Sequence, residues 1–365
     1  MIQLNTKTKN EVMDEDFKQI ISSLTDNEKL KFSGSTFLIT GCAGFLGFYF
    51  VNFLTKNRLE LGINKIICLD NFILGRPDWL SSIDAEGFEI HDFDISKDDL
   101  GTISSSNKTN YVMHLASIAS PIFYRKYPIQ TLDANIWGLR SLLDYYREST
   151  SLRGLLFFSS SEIYGDPHVD YVPTPETYWG NVNTLGPRSC YDESKRFGET
   201  MCYLYAQQYA LPIRIVRPFN NYGPGMKIDD SRAPADFAKS ILSNTDINLH
   251  SDGSPSRTFC YISDAITGYF KALFHGTFDV FNIGKASPEV TVRDLAKTFQ
   301  MVGRENFGYE CQLVFTKHED VEYLVNNPQR RCPVTDKASE KLGFNANVSL
   351  EDGINRYLNF LAAKE

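Results

Sequence analysis

The sequence predicts an α/β fold, a doubly wound parallel sheet with a smaller C-terminal part. Short apolar segments of strand length alternate with stretches of helix length, which is the pattern of βαβ units. A glycine-containing turn follows the first segment and opens an apolar helix, as in nucleotide-binding folds. The chain has 365 residues, so one large or two modest domains are expected.

The elements follow one another in an order that suits such a sheet. Residues 1–33 are polar and charged, with a helical stretch near 14–31, and we expect an N-terminal extension that packs on the main body. The first buried strand is expected at 36–40, because Thr-Phe-Leu-Ile-Thr is a short apolar segment. The helix at 45–56 is expected because an apolar stretch follows the glycine turn directly. Further apolar strands are expected at 65–70, 88–92, 111–115, 155–159 and 213–217.

The character of the chain changes after about residue 218. The segment Asn-Asn-Tyr-Gly-Pro-Gly (220–225) is rich in turn residues, and the remainder mixes short elements before a helix near 350–363. We therefore expect a Rossmann-type nucleotide-binding domain at 34–218. Residues 219–365 are expected to form mainly a substrate-binding part, with some segments returning to the Rossmann domain.

Composition excludes several classes of partner. The net charge of −8 argues against nucleic acid or an anionic membrane as a partner. The N-terminus is polar without an apolar core, and no apolar run approaches the ~18–20 residues of a membrane span. The seven cysteines are scattered without a CxxC pair, and the histidines do not cluster at metal-ligand spacing. We expect a cytoplasmic protein with free thiols and no metal site.

The glycine turn predicts a nucleotide site. Its motif is Gly-Cys-Ala-Gly-Phe-Leu-Gly (41–47), placed after a strand and before a helix. Small residues let the backbone approach a pyrophosphate, which the positive helix N-terminus attracts. We expect cofactor contacts from Gly41, Gly44, Phe45, Leu46 and Gly47.

Acidic residues at the strand ends indicate which dinucleotide binds. Asp70 ends the second strand, where a carboxylate accepts hydrogen bonds from the adenosine ribose and repels a 2′-phosphate. NAD is therefore favoured over NADP, although Arg76 lies nearby. Either Asp92 or Asp94 is expected to border the adenine.

A tyrosine and a lysine predict the chemistry. Tyr191 and Lys195 are four residues apart, so on a helix they share one face. An opposite charge within about 4–6 Å moves a pKa by roughly 1–3 pH units. We therefore expect Lys195, with a cationic nicotinamide ring, to lower the pKa of Tyr191 and make it a usable base. The pattern predicts oxidation of an alcohol to a ketone with NAD.

The chain resembles the extended short-chain dehydrogenases/reductases that act on nucleotide sugars. Within them it is most similar to the UDP-glucuronate decarboxylases, over about residues 34–362. The motifs that carry the resemblance are Ser-Ser-Ser-Glu-Ile-Tyr-Gly (159–165), Tyr-Trp-Gly-Asn-Val-Asn (178–183), Gly-Pro-Arg-Ser-Cys-Tyr-Asp-Glu (186–193), Ser-Arg-Thr-Phe (256–259) and Asn-Pro-Gln-Arg-Arg (327–331). Where those decarboxylases usually carry arginine, this chain has Gly225.

The resemblance implies a mechanism and further site residues. Tyr191 would take the proton of the sugar 4-hydroxyl, the 4-ketone would lie β to the C6 carboxylate, CO₂ would leave, and the ketone would be reduced again. Ser160 or Ser161 would bind the 4-oxygen, Glu162 would act on the C5 side, and Arg257 would meet the carboxylate or the diphosphate. Further cofactor contacts are implied for Asn71, Asp94 and Leu115. Substrate contacts are implied for Ser120, Pro121, Tyr124, Asn220, Arg257, Arg330 and Arg331.

Alternative functions stay open at this point. A 4-epimerase or a 4-dehydrogenase would use the same tyrosine and lysine. A 4,6-dehydratase is disfavoured, because Ser161 stands where those enzymes carry an acidic aspartate. A non-catalytic nucleotide-binding scaffold is a further alternative from another class.

The resemblance also implies a homodimer. It would pack through the helix of Tyr191 and a helix near 135–146. The apolar residues of the latter (Ile136, Leu139, Leu142, Leu143) suit an interface or the protomer's own core equally well.

Overall fold

A computed structural model describes residues 7–316 and 325–363. In chain order its strands are β1 (Thr36–Thr40), β2 (Lys65–Asp70), β3 (Phe88–Asp92), β4 (Tyr111–His114), β5 (Gly154–Phe158), β6 (Ile213–Pro218), β7 (Asn221–Tyr222), β8 (Ile247–Leu249), β9 (Ser256–Arg257), β10 (Cys260–Tyr261), β11 (Asp279–Ile283), β12 (Val290–Thr291), β13 (Leu313–Phe315) and β14 (Arg330–Arg331). Its α-helices are α1 (Lys9–Ser23), α2 (Asp26–Leu30), α3 (Phe45–Lys56), α4 (Asp78–Ser81), α5 (Pro121–Lys126), α6 (Pro128–Leu132), α7 (Leu139–Tyr146), α8 (Ser189–Tyr209), α9 (Ala233–Ser243), α10 (Ile262–Leu273), α11 (Val292–Phe307), α12 (Asp336–Leu342) and α13 (Leu350–Ala362).

The centre of the molecule is a parallel sheet of seven strands in the order β11-β6-β5-β4-β1-β2-β3. Strand β1 pairs with β2 on one side and with β4 on the other, so the strand order reverses there. In open α/β sheets ligands bind at this point, beyond the carboxyl ends of the strands. The prediction of a doubly wound α/β fold is confirmed, and the expected strands differ from the observed ones by at most one residue at an end.

Helices cover both faces of the sheet, which is why its strands are apolar on both sides. One apolar core lies between the sheet and a helix layer that includes α3 and α10, and the other lies against α7 and α8. Leu139, Leu142 and Leu143 of α7 are fully buried in the second core, and Ile136 packs against it. These apolar residues therefore face their own protomer.

Within residues 7–33 the N-terminal extension forms two helices, and each begins at a capping threonine. Helix α1 starts five residues before the expected stretch, because Thr8 forms a capping box with Glu11. The chain leaves the helix at Leu24, and Thr25 forms a second capping box with Glu28 at the start of α2. The apolar face of α1 joins the core, and the helix contacts α10 and α13.

The C-terminal part contributes one strand to the main sheet and three small sheets of its own. Strand β11 pairs with β6 at the sheet edge. Strand β9 lies between β12 and β14, which sets Arg257 beside Arg331 in register. The domain boundaries given above stay predictions. None of the helices in the described residues combines the length and apolar character that a membrane span requires.

Candidate active site

A cavity of about 1050 Å³ opens beyond the carboxyl ends of the central strands. Its walls come from the glycine turn, the ends of β2, β4 and β5, the start of α8, and segments of the C-terminal part. The predicted site residues that line it are Gly41, Gly44, Phe45, Leu46, Gly47, Asp70, Asn71, Asp94, Leu115, Ser120, Pro121, Tyr124, Ser160, Ser161, Glu162, Tyr191, Lys195, Asn220, Arg257 and Arg331. Arg330 is absent from this lining, although the structure describes it.

The glycine turn forms a cradle that fits a pyrophosphate. Gly41 has φ +71°, and a Cβ there would lie 2.6 Å from the backbone nitrogen of Ala116. A Cβ on Gly47 would lie 2.6 Å from the carbonyl carbon of Cys42, so this position is closed by the protein itself. At Gly44 the nearest atom is the carbonyl oxygen of Gly41 at 3.3 Å. Gly44 therefore leaves room for a ligand at the N-terminus of α3, where anions bind well.

Asp70 is held at the wall where a ribose would lie. Its carboxylate accepts hydrogen bonds from the backbone nitrogens of Ala43 (2.9 Å) and Phe72 (2.8 Å). Burial raises the pKa of this carboxyl group. Each oxygen keeps a lone pair for a ribose hydroxyl. The buried Ser117 hydroxyl on the same cavity has no partner in the described protein, so the lining fits a polar ligand.

Of the two aspartates that were expected to border the adenine, the structure favours Asp94. Asp94 lines the cavity, whereas the exposed Asp92 does not. The Asp94 carboxylate accepts from the Ser96 hydroxyl (2.6 Å) and the Lys97 ammonium (2.8 Å). These local bonds hold Asp94 in place.

Tyr191 and Lys195 lie on the first turns of α8. The Lys195 ammonium donates to the carbonyl oxygen of Phe158 (2.8 Å) and lies 5.7 Å from the centre of the Tyr191 ring. The Tyr191 ring stacks on Tyr124 with a centre-to-centre distance of 5.3 Å and an angle of 13°. Ser160, which follows β5, is near enough to the Tyr191 hydroxyl to lower its pKa. Of the two candidate serines, Ser160 is thus the one at the tyrosine.

Burial shifts the pKa values of both Tyr191 and Lys195. Burial raises the pKa of Tyr191 to about 12, and the opposing effect of Ser160 is smaller. Burial also lowers the pKa of Lys195 to about 7, so its charge is weakened. Among the protein groups, burial outweighs any effect of Lys195 on the pKa of Tyr191. The expectation that Lys195 and a cationic nicotinamide ring together lower this pKa stays a prediction.

Glu162 is clamped between two arginines. Both of its carboxylate oxygens accept from Arg331, at 2.6 and 2.5 Å, and the Arg188 guanidinium lies 2.5 Å from one of them. Burial opposes ionisation, yet the charges of Arg188 and Arg331 hold the pKa of Glu162 well below its usual range. The carboxylate is therefore ionised at neutral pH and has no proton to donate.

Arg188 is a site residue that the sequence analysis did not single out. It precedes α8 and is buried, with its Nε 3.7 Å from Asp192 and its guanidinium carbon 6.0 Å from the centre of the Tyr124 ring. Burial and the charge of Glu162 raise the pKa of Asp192. No local sequence pattern indicated Arg188, because its partner Glu162 lies in a different element.

The C-terminal part brings two arginines to the cavity and leaves a third outside. Arg257 donates to backbone carbonyl oxygens, including those of Pro328 (2.5 Å) and Gln329 (3.1 Å). Burial and the nearby Arg331 lower its pKa to about 9. The prediction that Arg330 meets the substrate conflicts with its place, because its guanidinium binds Glu289 (2.9 and 2.6 Å). Successive side chains of β14 point to opposite faces, so only one can face the cavity.

Further predicted substrate residues shape the wall through their own contacts. The Ser120 hydroxyl donates to the carbonyl oxygen of Asp230 (2.9 Å). Ser120 immediately precedes Pro121, the first residue of α5. The Asn220 amide donates to the carbonyl oxygen of Thr258 (2.8 Å). Their roles toward a substrate stay predictions.

Comparison with known proteins identifies relatives along most of the chain. The model of the NAD dependent epimerase/dehydratase family matches residues 37–284. UDP-glucuronic acid decarboxylase 5 of Arabidopsis thaliana is 35% identical over 329 residues, which are 90% of this chain and 89% of that protein. UDP-glucuronic acid decarboxylase 1 of Xenopus tropicalis is 33% identical over 88% of this chain and 71% of that protein.

Solved structures agree with these sequence relatives. The UDP-glucose 4-epimerase of Thermotoga maritima with UDP-glucose has a TM-score of 0.77 at 25% identity, covering 89% of this chain and 98% of that one. A UDP-glucuronic acid 4-epimerase variant from Bacillus cereus, in complex with UDP-4-deoxy-4-fluoro-glucuronic acid and NAD, has a TM-score of 0.72 at 25% identity over the same shares. The predicted cofactor, NAD, is confirmed, and the chain belongs to the NAD dependent epimerase/dehydratase family.

Proposed function

We propose that this protein is a UDP-glucuronate decarboxylase that forms UDP-xylose through a 4-keto intermediate. The observation that carries the proposal is an excess of positive charge beside the Tyr191–Ser160 pair. The guanidinium groups are those of Arg188, Arg257 and Arg331. They face the ionised Glu162, and burial disfavours the charge of Asp192. Such an excess suits a sugar with a carboxylate beside its 4-hydroxyl.

The relatives support the same substrate. The proteins of Arabidopsis thaliana and Xenopus tropicalis named above are UDP-glucuronic acid decarboxylases, and the similarity extends along most of each chain. Ser161 is buried in the cavity wall, where an acid would be needed to expel a 6-hydroxyl. A serine hydroxyl is too weak an acid for that step, so dehydration is disfavoured.

Each of several residues at the cavity has a separate role at C4 of the sugar. Tyr191 takes the proton of the 4-hydroxyl, and Ser160 holds the same oxygen. NAD, when bound along the glycine turn, supplies the hydride acceptor and donor at C4. Lys195, fixed by the carbonyl of Phe158, orients the ribose beside Tyr191. Once C4 is a ketone, the C6 carboxylate is that of a β-keto acid, and CO₂ leaves as the electrons move into an enolate.

The arginines bind negatively charged groups, either of the substrate or of Glu162. Arg257 has only neutral oxygens as hydrogen-bond acceptors among the described residues, so its charge is available to a carboxylate or a diphosphate. Arg331 and Arg188 keep Glu162 ionised at the cavity wall. We propose that this fixed carboxylate repels the leaving carboxylate and orients Arg331, and that proton donation to C5 comes from another group.

Mass spectrometry of the products tests the function. The purified protein is incubated with UDP-glucuronate, and with UDP-glucose as a neutral sugar of the same size. We expect UDP-glucuronate to lose the mass of CO₂ and UDP-glucose to stay unchanged. Tyr191→Phe should bind NAD normally while turnover falls by at least about a hundredfold, the lower bound for loss of a general base. Turnover of UDP-glucose alone, or an isomer of unchanged mass from UDP-glucuronate, would contradict the proposal and indicate a dehydrogenase or an epimerase.

We also propose a cytoplasmic homodimer. Exposed apolar side chains on and beside α8, namely Trp137, Phe197, Tyr203 and Leu204, support a protein interface there. All seven cysteines are free thiols, which supports a reducing compartment.

A further inference from the structure

Helix α1 lies outside residues 37–284, the part matched by the family, and it is fixed to the main body by a buried carboxylate. Asp16 is fully buried and accepts hydrogen bonds from the Tyr261 hydroxyl (2.8 Å) and the Arg356 guanidinium (2.8 Å). It also accepts from the hydroxyl of Tyr49 on α3. A buried carboxylate with these partners holds α1 in one place relative to α3 and α13.

The first turns of α1 reach the wall of the NAD cavity. Lys9, Asn10 and Met13 line it together with Phe48 and Asn52 of α3. Helix α3 begins at the glycine turn, so its lining side chains continue the wall that starts at the pyrophosphate cradle. The extension therefore contributes to the wall of this cavity beside α3.

Aromatic contacts connect Lys9 to this wall. The ring of Phe48 packs edge-on against Trp79 (5.0 Å between centres) and against Phe360 of α13 (5.7 Å). The Lys9 ammonium lies 6.0 Å from the centre of the Phe360 ring. Trp79 belongs to the segment that follows Asp70, the residue at the expected ribose position. A positive charge thus lies at the wall of the same cavity that contains the glycine turn.

We propose that α1 is a further part of the NAD site, in which Lys9 attracts the dinucleotide and Asn10 and Met13 close the wall beside α3. The consequence is slow release of NAD between turnovers. The proposal rests on the NAD dependence of the family and is independent of which sugar is the substrate.

Charge reversal on α1 tests the proposal with the full-length protein. Release of NADH is followed by its fluorescence after mixing with excess NAD, and NAD affinity is measured by calorimetry. Lys9→Glu should accelerate release and weaken affinity about three- to tenfold at low ionic strength, and the difference should shrink at about 1 M salt, where the Debye length is ~3 Å. Lys18→Glu is the matched control, because Lys18 is an exposed residue of the same helix away from the cavity.

Two results of the charge-reversal experiment would overturn the proposal. One is equal NADH release from the Lys9→Glu and Lys18→Glu variants, and the other is a difference that salt leaves unchanged. Asn10→Trp gives an independent steric test, because a large side chain at the wall should alter the NADH release rate while the unfolding temperature stays the same. An unchanged release rate in Asn10→Trp would show that α1 does not border the exchange path. None of these measurements depends on sugar turnover, so they stand apart from the test of the decarboxylase.

Discussion

At Arg188 one guanidinium faces two carboxylates whose pKa values move in opposite directions. Glu162 gains two arginine partners, so its pKa falls in spite of burial. Asp192 is 3.7 Å from Arg188 and close to the charge of Glu162, so burial prevails and its pKa rises. Neighbouring carboxylates with separated pKa values are typical of active sites. The arrangement gives the site one fixed negative charge and one carboxyl group that holds a proton.

Asp192→Asn should stabilise the protein increasingly as pH rises. The folded-state pKa of Asp192 is above that of the unfolded chain, so the native protein binds more protons between the two values, and stability falls as pH rises through this window. Asparagine cannot ionise, so the variant does not lose stability in this pH window. We expect the free energy of unfolding of the variant, relative to wild type, to grow from about pH 4 upward and then to level off above the folded-state pKa. Urea unfolding at several pH values measures it.

Asp84→Asn is the matched control for this series. Asp84 is exposed, so its substitution should give a small difference that is constant with pH. A constant difference for Asp192→Asn as well would show that Asp192 ionises normally in the folded protein.

At the scale of an element, two glycines of the same turn are required for different reasons. A Cβ on Gly47 would overlap the backbone of Cys42, whereas a Cβ on Gly44 would meet only the carbonyl oxygen of Gly41, at 3.3 Å, and otherwise the cavity. Gly44→Ala should therefore lose much less stability than Gly47→Ala, and its NAD affinity should fall at least about tenfold, or ~1.4 kcal/mol. Gly47→Ala should lower stability by about 1–3 kcal/mol through overpacking. Calorimetry with NAD and thermal unfolding distinguish them, and equal losses of stability would refute the distinction.

Helices and strands were predicted well where neighbouring residues alone determine them. Strands and the helix after the glycine turn follow from apolar segments between turns, and the observed bounds agree. The start of α1 was missed although its signal is present, since Thr8 and Glu11 form the T-x-x-E pattern of a capping box. Arg188 was missed for another reason. Its partner Glu162 lies in a different element, and no local pattern reveals that contact.

The three arginines of the C-terminal part also show that local patterns do not reveal contacts between distant elements. The resemblance pointed to Arg257, Arg330 and Arg331 together. Pairing of β9 with β14 decides which of them reach the cavity, and that pairing joins residues more than seventy positions apart. The alternation of side chains along a strand could have excluded one of two adjacent arginines from the sequence. It could not have shown that the excluded one is Arg330, which binds Glu289.

At the scale of the whole molecule, the surface over α8 is the best candidate for contact with a second copy. Phe197 and Leu204 are seven residues apart, so they lie on one face of the helix, and each is about half exposed. Trp137, in the segment that precedes α7, is 61% exposed. Single exposed apolar residues are ordinary, but a group on adjoining helices is typical of interfaces. The apolar residues of α7 are used in the protomer core, so the interface would be built from this group instead.

The proposed dimer predicts that the double variant Phe197→Glu, Leu204→Glu is a monomer. Burying two such side chains contributes about 1.5–3 kcal/mol each, and two charges in their place would have to be desolvated at the interface. Light scattering coupled to size exclusion at micromolar concentration gives the mass directly. Leu59→Glu serves as the control, because Leu59 is 85% exposed and lies after α3, away from this surface. The α8 interface would be refuted by a wild-type protein that is already monomeric, or by a double variant that keeps the mass of the dimer.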